Sequence, residues 1–204
     1  MIRFQSIRPV LVVLSAFVLA SCADQAVTDP LAPSNAALSK SPGSSVSSAV
    51  TDPSQLNLQA VWWKKQHKTT ISVSKTISAS GGTISIPETG FSMSFPAGAV
   101  SGPIKITVTS DDKYVAYKME PTGTRFAKDV TVTQQLNTTT LYGQPLHGLL
   151  YVGYIGDDTA KLTGHIPVLE LEPSKTIFSP LSALLPEAHV WIIRHFSRYM
   201  LASG

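Results

Sequence analysis

The chain has 204 residues, 43% of them hydrophobic and 14% charged, which is enough apolar material for a buried core. Of its 16 basic side chains, Arg3 and Arg8 lie in residues 1–22, where no acidic residue occurs; the rest of the chain carries 14 basic against 13 acidic groups, a net of +1. No block of like charge is present, which excludes a nucleic-acid-binding footprint.

In chain order, Arg3 and Arg8 form a positive start and "VLVVLSAFVLA" an apolar run too short to cross a bilayer comfortably. We read residues 1–21 as a signal peptide. It ends in Leu19-Ala20-Ser21-Cys22, which resembles a lipobox, where small residues precede a cysteine that receives a diacylglycerol before cleavage. Cys22 is the only cysteine, so no disulfide within the chain competes for it. The bilayer, reached through lipidated Cys22, is therefore an expected partner. Ala23 follows in place of the aspartate that marks inner-membrane retention in enteric bacteria. In a Gram-negative host this directs the protein to the outer membrane, facing the periplasm or the surface.

Residues 22–58 are rich in Ser, Ala, Pro and Asp, lack aromatics and periodicity, and repeat "AVTDP" at 26–30 and 49–53. Such a segment buries too little surface to offset chain entropy, so it reads as a disordered tether reaching on the order of 30 Å. From residue 59 onward the period is two: Ile84 and Ile86; Phe91, Met93 and Phe95; Ile104, Ile106 and Val108; Val115, Tyr117 and Met119; Val130 and Val132. "GLLYVGYI" and "HVWIIR" are denser, as in strands covered on both faces. Turn signals such as Gly81-Gly82, "PETG", "PAGA", "PTG" and "YGQP" separate the runs. The pattern predicts one all-β domain over 59–204, a single antiparallel β-sandwich. "LSALLPEA" is the one helical candidate, limited by Pro186 to a turn or two.

"GGTISIPETGFSMSFPAGAVSGPIKITV", "MEPTGTRFAKDVTV" and the terminal "HFSRYMLASG" together resemble the ZU-five domain shared by ankyrins, zonula occludens proteins and Unc-type netrin receptors. The carrying residues are Gly81-Gly82, Gly90, Pro96-Ala97-Gly98-Ala99, Pro121, Gly123, Phe126 and Val130, over roughly residues 70–204 with 137–175 unmatched. The chain is also similar to ZU-five-type lipoproteins of environmental bacteria. The resemblance implies a protein-binding or scaffolding module. It also implies a chemical alternative at His195-Phe196-Ser197, because some ZU-five adaptors cut themselves between Phe and Ser. Here Ser197 Oγ would attack the Phe196 carbonyl with His195 as general base, and water would resolve the ester. In a regular strand, however, His195 and Ser197 share one face with Trp191, Ile193, Tyr199 and Leu201. We therefore expect an intact chain with "HFSRYML" as its closing strand.

Other chemistry is sparse. There is no GxGxxG, phosphate loop, HExxH or GxSxG, so no classical enzymatic activity and no cofactor is expected. His67, His147, His165, His189 and His195 share no ligand-like spacing, and no metal is assigned. Asp111-Asp112 and Asp157-Asp158 fit turn capping better than calcium. Trp62 and Trp63 are adjacent, so on a strand they face opposite ways; they are the candidate ligand contacts, for a sugar ring or a protein partner. Three readings result: a membrane-tethered protein-binding module, a self-cleaving domain, and a carbohydrate-binding lipoprotein.

Overall fold

A computed structural model describes residues 58–156, 162–164 and 168–204. The expected signal peptide, Cys22, the tether through residue 57, Asp157-Asp158 and His165 lie outside these residues. Among the described residues twelve strands follow one another: β1 (Gln59–Ala60), β2 (Ser72–Ile77), β3 (Gly82–Ile86), β4 (Phe91–Phe95), β5 (Ile104–Ser110), β6 (Ala116–Glu120), β7 (Arg125–Gln135), β8 (Leu150–Ile155), β9 (Glu170–Glu172), β10 (Ser174–Ser179), β11 (Ser182–His195) and β12 (Arg198–Ser203). One sheet has the order β2-β5-β6-β12-β8-β9, with β1 added beside the end of β12. The other has the order β10-β11-β7-β4-β3. All pairings are antiparallel. The fold is the predicted all-β sandwich.

The period-two residues build its interior. Ile84, Ile86, Phe91, Met93, Phe95, Val130 and Val132 from one sheet share a buried cluster with Ile106, Val108, Tyr117 and Met119 from the other. Phe126 plugs this core from β7, edge-on to Phe95 and Phe196. Gln134 is a buried polar residue within it. Its Oε1 accepts from the Tyr117 hydroxyl at 2.6 Å, and its Nε2 donates to the carbonyls of Thr89 and Gln135 at 2.6 and 2.7 Å. The amide is satisfied at both ends, as burial demands. Burial also pushes the Tyr117 phenol well above its usual range.

A second, smaller core lies on the outer face of the larger sheet. Met200, Ala202, Ala116 and Ile155 pack there with Leu58, Ala60, Leu162 and Val168. This explains the dense pattern of "GLLYVGYI": Leu150 and Val152 belong to the inner core and Ile155 to the outer one. Gly153 lets Val168 approach; a Cβ there would meet the valine side chain at 2.5 Å.

Two expectations need correction. "LSALLPEA" is not helical but forms the first half of β11, because it pairs with β10, placing Ile177 opposite Ala188 and Phe178 opposite Pro186. Pro186 is tolerated because β11 meets β7 only from Ala188 onward, so the missing N–H lies in a two-stranded overhang, beside a register shift. Nor is "HFSRYML" one strand. The chain leaves β11 at His195, bends at Phe196-Ser197 and enters β12 in the other sheet. A second crossing lies nearby: Pro173 separates β9 of the larger sheet from β10 of the smaller, and its carbonyl accepts from Ile192 N–H at 3.1 Å.

Candidate functional site

The two crossings make one corner of the sandwich, and chemistry-bearing side chains gather there. Glu170 and Glu172, two residues apart on β9, share a face. One carboxylate oxygen from each and one ring nitrogen of His195 lie within 4.8 Å of one another. They line a cleft of about 620 Å³ with Arg125, Asp129 and Arg194. The Arg194 guanidinium donates to Asp129 at 2.7 Å and holds that carboxyl below its ordinary range. Glu172 is different: burial, then the charge of Glu170, pushes it up to about 7.

His195 is held by aromatics. Tyr154 of β8 meets its ring edge-on at 5.1 Å between centroids. The buried Tyr199 hydroxyl donates to the His195 carbonyl at 2.7 Å and lies 3.3 Å from His195 Nδ1. The phenol has one proton, and the carbonyl takes it. The tyrosine oxygen can then only accept from Nδ1–H, which leaves Nε2 with the lone pair.

The other half of the motif is placed elsewhere. Ser197 is 3% exposed, and its hydroxyl donates to the Ile155 carbonyl at 3.4 Å, away from the histidine's partners. The Phe196–Ser197 linkage is pinned by its backbone. Phe196 N–H donates to Thr124, the Phe196 carbonyl accepts from Gly123 N–H at 3.0 Å, and the Ser197 carbonyl accepts from Met119 N–H. His195 and Ser197 are thus neighbours in sequence whose side chains have different partners.

The tryptophans divide as adjacent strand residues should. Trp63 is buried, with Nε1 donating to the Asp111 carbonyl at 2.9 Å, so it cannot touch a ligand. Trp62 is exposed but occupied: Tyr114 packs edge-on at 5.0 Å, and the Lys113 ammonium lies 4.4 Å from its ring centre. One aromatic face is therefore already covered by a cation. Asp111 does what a turn aspartate is expected to do, with Oδ1 accepting from the N–H groups of Lys113 and Tyr114.

A surface that the sequence reading missed adjoins the corner. The β10–β11 hairpin projects past β7 and exposes Ile177, Phe178, Leu181 and Leu184, with Leu149 beside them; Leu181 is 93% exposed. Below the tip runs a groove of about 470 Å³ lined by Leu146, Leu149, Leu150, Tyr151, Leu171 and Phe178. Both its walls are strand edges. Among the described residues β10 ends its sheet, and β9 pairs only with Val152–Tyr154, leaving Leu150 and Tyr151 without a strand on that side. The signal was the apolar "TIFSPLSALL", alternating too weakly to reveal a hairpin. For the corner, it was the E-x-E of "LELEP".

No family model matches this chain, and no curated protein matches it either.

Proposed function

We propose that the protein is a lipid-tethered binding module, which takes an extended segment of a protein partner into the groove between β8 and β10. The observation that carries this reading is the pairing of two unoccupied strand edges with a cluster of exposed apolar side chains. Unpaired edges supply backbone donors and acceptors to an added strand, and alternate pockets select its side chains. An exposed apolar group of this kind is a recognised sign of an interaction surface. The lipobox-like Leu19–Cys22 and the resemblance to ZU-five modules support the tether and the scaffolding role. Trp62, half covered by Lys113, is a poorer platform for a sugar. Self-cleavage is disfavoured by the Ser197 hydroxyl, which is turned to Ile155; we propose an intact C-terminus. Denaturing mass spectrometry checks this: only the full-length C-terminus is expected, and a species ending at Phe196 that Ser197→Ala lacks would overturn it.

The binding test places a photo-crosslinking residue at Phe178 and, separately, at Thr83 on the opposite sheet edge. A discrete protein adduct from position 178 alone is expected; equal yields from both, or none, would overturn the assignment. Cys22→Ala is expected to abolish fatty-acid labelling and membrane association together. Label on the alanine variant would remove the lipid from the proposal.

A further inference from the structure

We propose that Glu170, Glu172 and His195 form a site for a single divalent transition-metal ion, best suited to Zn²⁺. The donors come from two strands of different sheets, β9 and β11, so they are assembled by the fold and not by a local loop. Two carboxylate oxygens and one imidazole nitrogen, with water completing the shell, are a set that zinc accepts. Calcium and magnesium favour all-oxygen shells and larger ligand numbers, and the imidazole counts against them.

The geometry is close to closure. Ligand atoms around a tetrahedral zinc at about 2.0–2.2 Å lie about 3.3–3.5 Å apart. The three donors here are within 4.8 Å. Glu170 is exposed and Glu172 half-buried, so side-chain rotation, without movement of either strand, can bring the oxygens inward. Two glutamates held together without a counter-charge between them repel, and a cation in their midst removes that repulsion. The surrounding charges do not replace it: Arg194 is engaged by Asp129, and Arg125 lines the cleft without making an ion pair with either glutamate among the described residues.

Tyr199 sets the histidine for this role. Its hydroxyl donates to the His195 carbonyl and lies 3.3 Å from Nδ1, so a bond accepted from Nδ1–H would leave Nε2 to bind the ion, as carbonyls and carboxylates do behind metal-bound histidines. Tyr154 limits rotation of the ring from its other side. Tyr199 is a positioning residue, since it has no contact of its own with the ion.

The test uses the untagged full chain in detergent, stripped with a chelator and titrated with Zn²⁺ by calorimetry. One ion per chain is expected, with affinity at least tenfold weaker in Glu170→Gln, Glu172→Gln and His195→Ala. Glu170→Gln alters an exposed side chain, so a loss of binding there cannot come from misfolding. Tyr199→Phe keeps the ring in the core and should weaken binding about tenfold. His67→Ala, distant in the chain, should bind as the parent does. The proposal is overturned if stripped protein takes up no zinc, if Glu170→Gln and His195→Ala bind as tightly as the parent, or if Ca²⁺ competes on equal terms. None of these outcomes depends on a protein partner, so this site and the groove stand or fall separately.

Discussion

The two flanks of the sandwich are closed in different ways. On one, β2 of the larger sheet passes to β3 of the smaller through a turn at Ser78–Gly81, where Gly81 N–H donates to the Ser78 carbonyl at 2.9 Å. Gly81 adopts φ of 82°, and a Cβ there would collide with the Phe95 carbonyl. Ile77 is buried beneath, and Lys75 Nζ reaches the Thr83 carbonyl at 2.7 Å. On the other flank the chain passes between the sheets at Pro173 and, nearby, at Phe196-Ser197, and a polar cleft and an apolar groove lie there. The closed flank spends its residues on packing. The open one holds glutamates, a histidine and exposed leucines, which contribute little to the buried core.

The largest expected effect is on the closed side. Phe91 is 1% exposed and stacks on Tyr117 at 4.3 Å between centroids, tilted by 40°. Phe91→Ala should cost about 3–5 kcal/mol, through lost burial and the cavity left in a close-packed core. Urea unfolding measures it. A cost below about 1 kcal/mol would mean that this flank relaxes freely, and the contrast with the open flank would fail.

The same contrast separates what the sequence reveals from what it hides. Strands with one face in the core, such as Phe91–Phe95, announce themselves by strict alternation, because every second residue must be apolar. Tight turns announce themselves through glycine: Gly98 of "PAGA" has φ of 79°, as a turn between strands requires. The overhang of β11 is only partly covered: Ala183, Leu184 and Glu187 are exposed, Ser182 and Leu185 half-buried, and Pro186 buried. Nothing forces Ser182–Glu187 to alternate, and its Leu, Ala and Glu content mimics a helix. Glu170, Glu172 and His195 meet only because two crossings coincide, and no spacing along the chain encodes that. His195-Phe196-Ser197 misleads for the same reason. A strand pattern keeps His195 and Ser197 on one face, whereas the change of sheet gives them separate partners.

His189 tests the wall between the two regimes. It lies on β11 facing the core, 1% exposed, with Nδ1 3.0 Å from Thr176 Oγ1 and Nε2 without a hydrogen-bond partner. Burial pulls its pKa from 6.5 down to about 4. A histidine depressed in the folded state takes up protons more readily when unfolded, so folding is favoured fully above pH 6.5. That stabilisation is lost as pH falls from 6.5 through 4, by on the order of 3 kcal/mol. Thermal unfolding of the parent and of His189→Gln across this window isolates the effect from the carboxylates, which titrate in both. The parent should lose more stability on acidification than the variant. Parallel profiles would show that water reaches the imidazole and that the open flank extends deeper than its groove.

The smallest expected change in stability comes from Leu181→Ser. Leu181 occupies a two-residue turn with Pro180, between paired Ser179 and Ser182, where a polar residue would serve the backbone equally well or better. Its side chain is 93% exposed and contributes almost nothing to the core. Replacement should therefore alter unfolding by no more than about 0.5 kcal/mol. Phe178 and Leu184, on the two strands of the same hairpin, are exposed as well, so the leucine belongs to a surface and not to an isolated accident. If that surface receives a partner, Leu181→Ser should leave the unfolding curve in place while reducing the crosslinked adduct at position 178 several-fold. A stability loss above about 1 kcal/mol would mean that Leu181 is covered in the folded chain, and that the hairpin is a structural clasp instead of a docking edge.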